Sequence, residues 1–214
     1  MTRFMTATLL MLAALTSLTT ESGATNLLGN GDFERVTKSG KAEGWKMPRG
    51  PFQLKKEGGN HYLRVSVDEL TNRFVRPQVE IPLTERKPFI TLKADRRLSN
   101  VKRKGGFGGA GIRLRFNDKN GKAVANSDTD WLIGDAGWKT LSMTVPVPDE
   151  AAEVWVLPGL YAATGQADFD NLSLIPSDHP QLPKGARVTW GEEPLETVSP
   201  LRQQICLNGL WKFM

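Results

Sequence analysis

Two acidic motifs stand near opposite ends of the main body of this 214-residue chain. "NLLGNGDFE" at 26–34 carries Asp32 and Glu34 beside a turn-prone Gly-Asn-Gly, and "GQADFDNLSLIP" at 165–176 carries Asp168 and Asp170. Carboxylates held close together repel unless a cation lies between them. Carboxylate and carbonyl oxygens at a turn are the ligands calcium prefers, and Gly29 and Gly31 let the backbone turn carbonyls inward. The same acids also suit plain turn capping, and spacing by itself does not choose between the two. Other chemistry finds less support. A glycosidase needs two carboxyls about 5 to 9 Å apart across a cleft. Asp128, Asp130 and Asp135 instead crowd into "NSDTDWLIGDAGW", which composition marks as a solvated loop. No G-x-S-x-G elbow occurs, and His61 and His179 are far apart and lack a nucleophile signature. "KGGFGGAG" at 104–111 lies between strand patterns with no helix after it, so it reads as a flexible rim loop rather than a phosphate cradle. Taken alone, the chain reads as non-catalytic.

The elements that must position these acids are strands. "HYLRVSV" sets Leu63, Val65 and Val67 against Arg64 and Ser66, and "FITLKAD" sets Ile90, Leu92 and Ala94 against Thr91, Lys93 and Asp95. "GIRLRF" sets Ile112, Leu114 and Phe116 against Arg113 and Arg115. "KTLSMTVPV" offers Leu141, Met143 and Val145, while "AEVWVLPGL" offers Val154, Val156 and Leu160 opposite Glu153 and Trp155. Period-two alternation at short intervals predicts an all-β antiparallel sandwich. "NDKNG" at 117–121 is a hairpin turn with Asn120-Gly121 suited to positive φ, and one short turn is expected after Pro148. In a sandwich whose first and last strands are neighbours, Glu34 and Asp170 meet.

Composition sets the boundaries. Residues 1–24 have a basic start at Arg3, an apolar run too short to span a bilayer, and Ser22-x-Ala24 at the close; they read as a cleaved signal peptide, so the product is secreted or periplasmic. No later segment is apolar enough for membrane insertion. Residues 25–176 form the sandwich. Residues 177–200 are rich in proline and read as an extended linker, and 201–214 resume apolar alternation as the truncated start of a second β-domain. The single cysteine, Cys206, excludes an internal disulfide framework. The formal charge of +5 survives removal of Arg3 and Glu21 with the signal. It permits an acidic ligand without demanding one. Export, and the lack of any helix-in-groove motif, argue against nucleic acid.

"NLLGNGDFE", then "AEGW", "GWKTLSMTVPVP" and "GQADFDNLSLIP" occur in order over 26–176. Together they resemble the jelly-roll carbohydrate-binding modules attached to bacterial xylanases and cellulases, a galactose-binding-like sandwich. The resemblance implies a structural Ca2+ held by Glu34, Asp170 and the main-chain carbonyl of Asp32. It also implies that Trp45 and Trp138 are framework residues of the core. A shorter resemblance, "LNGLWKF" at 207–213, is to the entry of the N-terminal sandwich of family 2 glycoside hydrolases, the β-galactosidase and β-glucuronidase group. It implies a covalently linked catalytic domain downstream.

A sugar-binding face needs an exposed aromatic plane beside polar side chains on one sheet surface. Alternation points Trp155 away from Val154 and Val156, and points Arg113 and Arg115 away from Ile112, Leu114 and Phe116. If their strands share the concave sheet, these three make such a face, with Trp131 walling one side. The arginines suit a carboxylate-bearing sugar through bidentate pairing. The expected partner is thus a poly- or oligosaccharide. A structural spacer and a protein–protein adhesion sandwich remain the alternatives.

Overall fold

Among the described residues ten strands form the fold: β1 (Phe52–Glu57), β2 (Asn60–Val67), β3 (Phe74–Val75), β4 (Val79–Pro82), β5 (Phe89–Arg103), β6 (Gly109–Asn117), β7 (Ala123–Asp128), β8 (Gly134–Pro146), β9 (Glu153–Tyr161) and β10 (Ala163–Ser177). The structure, a computed structural model, describes residues 25–69, 74–84, 86–103 and 105–180. One sheet runs β1-β2-β10-β5-β8 and the other β3-β9-β6-β7, with β4 also paired to β9. Every pairing is antiparallel. This is the expected all-β jelly-roll sandwich. Its core lies where the period-two alternation put it. Leu63, Val65, Leu92, Phe169 and Leu174 from the first sheet meet Ile112, Leu114, Phe116, Val154 and Val156 from the second, all fully buried. Each such side chain contributes about 1.5–3 kcal/mol by leaving water.

Residues 26–34 are not the first strand that was expected. They form an irregular segment laid against β10: the Leu27 N–H donates to the Leu174 carbonyl at 2.9 Å, and the Leu172 N–H donates to the Gly31 carbonyl at 2.9 Å. The contact is close enough that a Cβ on Gly31 would fall 1.9 Å from the Leu172 oxygen, so only glycine fits there.

The 128–135 region is less loop-like than its composition suggests. β7 extends through Asp128 and β8 begins at Gly134, which leaves only 129–133 as a connection. At the 117–122 turn Gly121 alone has positive φ (77°); Asp118 organises the turn, its Oδ1 accepting from the Asn120 and Lys122 N–H groups at 2.8 and 2.9 Å. The turn after Pro148 is present, closed by the Ala151 N–H donating to the Pro148 carbonyl.

Trp45 is a core residue as expected, its ring 5.0 Å from that of Phe33 and its Nε1 donating to the Asn30 carbonyl. Trp138 is not; it projects from the outer face of β8 and is 40% exposed. The pairing of β8 with β5 shifts register between Ala136 and Lys139, so Trp138 falls at an irregularity that neither alternation nor the "GW" pattern reveals. Residues 1–24, expected to be a signal peptide, and residues 181–214, which hold most of the expected linker and the expected start of a second domain with Cys206, lie outside the described residues. Among the described residues no helix is long and apolar enough to cross a membrane.

Candidate functional site

The two acidic motifs do come together at one corner of the sandwich. Glu34 reaches β2, where its Oε1 accepts from the His61 N–H at 2.7 Å and its Oε2 lies 2.9 Å from His61 Nδ1. These bonds hold the Glu34 carboxyl below the usual carboxylate range. The preceding residue of β2, Asn60, donates to Asp170 Oδ2 at 2.7 Å, and the Asn171 N–H donates to Asp170 Oδ1. Asp170 is nearly buried. Burial, with the like charges of Asp95 and Glu34, pushes its carboxyl upward against the two bonds. Phe33 and Asn171, one in each motif, both sit at positive φ (56° and 49°), so each chain turns sharply at the corner. Asp32 is exposed, and its Oδ1 is 3.5 Å from the Glu34 N–H.

Among the described residues no three His, Cys, Asp or Glu side chains form a metal-binding group. Of the expected ligand set, the carboxylates of Glu34 and Asp170 are held by successive residues of β2, His61 and Asn60, with His61 engaging both oxygens of Glu34. A buried carboxyl with a raised pKa and two acidic neighbours is the feature that a hard cation would relieve.

The remaining predicted residues share one surface, the outer face of the β3-β9-β6-β7 sheet. Cross-strand register sets Arg115 opposite Trp155, Arg113 opposite Leu157, Gly111 opposite Gly159 and Gly109 opposite Tyr161. On the far side of β6, Arg113 is opposite Asp128 and Arg115 opposite Asn126. The Arg115 guanidinium lies 4.8 Å from the Trp155 ring centroid, and its Nε donates to Asn117 Oδ1 at 2.9 Å. Trp155 Nε1 donates to Glu153 Oε1 at 2.9 Å. Arg113 is less available than its sequence position implied. Its fork is bidentate with Asp128 at 2.7 and 2.8 Å, a pairing that raises its pKa.

Trp131 arrives from the short 129–133 connection, which is stitched to β6. Ala110 and Leu132 exchange backbone hydrogen bonds, the Ile112 N–H donates to Thr129 Oγ1, and the buried Arg96 donates from Nη1 to the carbonyls of Ala110 and Asp130, both at 2.9 Å. Gly111 has no side chain to obstruct the indole; a Cβ there would lie 2.7 Å from a Trp131 ring carbon. Trp131 meets Tyr161 at a centroid distance of 5.8 Å, and Phe107 stands edge-on to both at 6.3 and 5.5 Å. Phe107 is 56% exposed. The face is thus aromatic at both ends. Trp155 and Tyr161 are six residues apart on β9, or about 20 Å, with glycine, Leu157 and the arginines between them.

Tyr161 and Phe107 were not anticipated as site residues. Tyr161 was legible, since its even spacing from Trp155 places both on the same face. Phe107 was not, because its role depends on how the glycine-rich loop folds back over the sheet.

A broader cleft of about 700 Å³ lies on the opposite sheet, lined by Tyr62, Arg64, Arg97, Ser99, Asp135 and Gln166 among others. Its two arginines are already committed. The fully buried Asp168 accepts from both Arg64 and Arg97, and Arg97 also pairs with Glu57. Arg97 covers the ring of Trp138 at 4.7 Å and that of Tyr62 at 5.1 Å. Asp168 is therefore a structural anchor, not part of the acidic corner.

No protein-family profile matches this sequence, and no curated protein matches it. Solved structures do match in fold. The enzymatically active domain of tailspike protein 4 from bacteriophage CBA120 superposes with a TM-score of 0.54 at 13% identity, over 71% of this chain and 21% of that one. The CBM22-1 xylan-binding domain from Paenibacillus barcinonensis superposes with a TM-score of 0.48 at 15% identity, over 72% of this chain and 96% of that domain. A family 4 carbohydrate-binding module gives 0.46 at 15% identity, over 69% and 98% of the two chains. The chain thus spans only about a fifth of the tailspike chain but nearly all of the two modules.

Proposed function

We propose that this sandwich is a non-catalytic carbohydrate-binding module whose ligand lies along the outer face of the β3-β9-β6-β7 sheet. The observation that carries the reading is the shared surface of Trp155, Arg115, Trp131, Tyr161 and Phe107. These side chains come from two strands and two loops, yet they line one glycine-floored face. Aromatic planes stack on the C–H faces of sugar rings, while the arginine and asparagine groups between them serve hydroxyls. A structural calcium at Glu34, Asp170 and the Asp32 carbonyl belongs to this reading. So do export by residues 1–24 and a covalently linked glycoside hydrolase that the module delivers to polysaccharide.

The test is affinity electrophoresis of the full chain through gels containing xylan, glucan or pectic polysaccharide. Wild type is expected to be retarded. Trp155→Ala and Trp131→Ala are each expected to weaken binding by about 2 kcal/mol, the loss typical of a central aromatic anchor. That is about thirtyfold in Kd. Unretarded wild type in every gel would sink the proposal, and retained binding in both folded variants would move the site off this face.

A further inference from the structure

The cleft of about 700 Å³ on the β1-β2-β10-β5-β8 sheet plays no part in that face, and it is built differently from a solvated strand surface. Its volume falls within the roughly 300–1,000 Å³ of small-ligand clefts. Asp168 lies between the core residues Ala167 and Phe169 and so takes the outward parity, yet it is fully buried. It accepts from Arg64 Nε and Nη2 at 2.8 and 2.9 Å and from Arg97 Nε at 2.9 Å, which holds both guanidiniums in place. Tyr62, also buried, packs under them at 5.4 and 5.1 Å from its ring centroid. Trp138 completes the stack at the rim, edge-on to Tyr62 at 5.6 Å and with Arg97 over its ring at 4.7 Å. The indole thus rests on a fixed support while 40% of it stays open to solvent.

Charge in the cleft is balanced. Lys56, Arg64 and Arg97 stand against Glu57, Asp135 and the buried Asp168. No surplus is left to draw an anion. What remains is a set of fixed polar groups with capacity to spare. Nη1 of Arg64 and Nη1 of Arg97 make no hydrogen bond among the described residues. The Gln166 carboxamide oxygen accepts from Arg64 Nε and Nη2 at 3.2 and 3.1 Å, which leaves its NH2 group unspent. Asp135 uses Oδ1 for the Asn100 N–H and keeps Oδ2, and Ser99 adds a hydroxyl. Donors and acceptors interleaved beside an aromatic plane match a neutral polyhydroxyl ring. Its C–H face stacks, and its hydroxyls both donate and accept.

We infer that this cleft is a second saccharide site, for a neutral sugar, on the opposite sheet of the sandwich from the first. Its observations are separate from those of the β3-β9-β6-β7 face, and either site stands without the other. A module with one site on each sheet holds two polysaccharide chains, or two segments of one chain, at once.

The experiment is affinity electrophoresis of the full chain through xylan and glucan gels, with a polyuronate gel beside them. The double variant Trp155→Ala, Trp131→Ala removes the aromatic anchors of the first face and is expected to keep a weaker, measurable retardation in a neutral gel. Adding Trp138→Ala should lower that residual affinity by at least about tenfold. Gly137→Gln is an independent block. A Cβ there meets nothing within 4 Å and the residue is not at positive φ, so a side chain fits without strain and takes up space in the cleft that Gly137 lines. It should lower the residual affinity to a similar extent with the melting temperature unchanged, which covers the case in which the triple variant does not fold. Complete loss of retardation in the folded double variant would overturn the inference and leave the first face intact. Residual binding indifferent to Trp138→Ala and Gly137→Gln would overturn it too. So would a residual affinity more than about tenfold tighter for polyuronate than for either neutral polysaccharide. Wild-type retardation lost with Trp138→Ala alone, and untouched in the double variant, would uphold the cleft and remove the first face instead. No retardation of wild type in any gel would remove both.

Discussion

Asp170 is the residue on which the acidic corner turns. Burial raises its pKa first, and the charges of Asp95 and Glu34 add to that, while Asn60 and the Asn171 N–H oppose it. A carboxyl whose folded pKa lies above its unfolded value binds protons better in the native state. Its cost to stability is fully present above the folded pKa and is relieved as pH falls through it toward the unfolded value. Metal-free protein should therefore gain stability from this group on mild acidification from neutral pH, read as a rise in melting temperature. The calcium proposal adds an opposite signature at neutral pH. Saturating calcium should stabilise wild type by a few kcal/mol through mass action, and Asp170→Asn should cancel that response. In chelator the same variant should melt no lower than wild type, because it removes a buried like charge. A wild-type melting curve indifferent to both calcium and chelator would exclude the ion from this corner.

At the scale of elements, the 129–133 connection shows how a loop residue is made part of a rigid face. Arg96 points inward from β5 and spends Nη1 on two carbonyls, one in β6 and one in the connection that carries Trp131. Arg96→Met keeps much of the volume but leaves those carbonyls short of a donor. A loss of about 2–4 kcal/mol is expected, or about 5–10 °C in melting temperature for a domain of this size. Sugar affinity should fall with it, since Trp131 loses its tether. If stability drops and affinity does not, Trp131 is positioned by Gly111 and Tyr161 alone.

The same elements show what the sequence made legible. Strand identity followed from alternation, and so did the shared orientation of Trp155, Arg113 and Arg115. What alternation cannot supply is register and partnership. Nothing local says that Asp128 will face Arg113 and occupy its fork, or that Arg76 will join Arg115 from the segment between β3 and β4. The short or weakly alternating strands β1, β3, β4 and β7 escaped for a related reason: "FQLKKE" and "AVANSD" lack an apolar face strong enough to mark a strand, and acquire one only from their neighbours. Trp138 was misplaced because a motif match does not reveal the register shift between Ala136 and Lys139.

For the molecule as a whole, the sandwich closes its core within residues 25–177, from Leu28 to Leu174. Deleting 181–214 is accordingly expected to move the melting temperature by less than about 2 °C, well under 1 kcal/mol. A larger fall would mean that the tail packs on the sandwich as part of it. The closure itself has a kinetic consequence. The segment at 26–34 is held by Leu172 and Leu174, nearly 150 residues later in the chain, and β10 sits between β2 and β5 in its sheet. No N-terminal portion can reach a native arrangement until the last strand is available, so folding waits for almost the entire sandwich to emerge. Refolding should be slow for this size, in the millisecond-to-second range of all-β domains. A chain ending at Ala162 should remain protease-sensitive throughout, so the nascent chain stays unfolded until very late in synthesis.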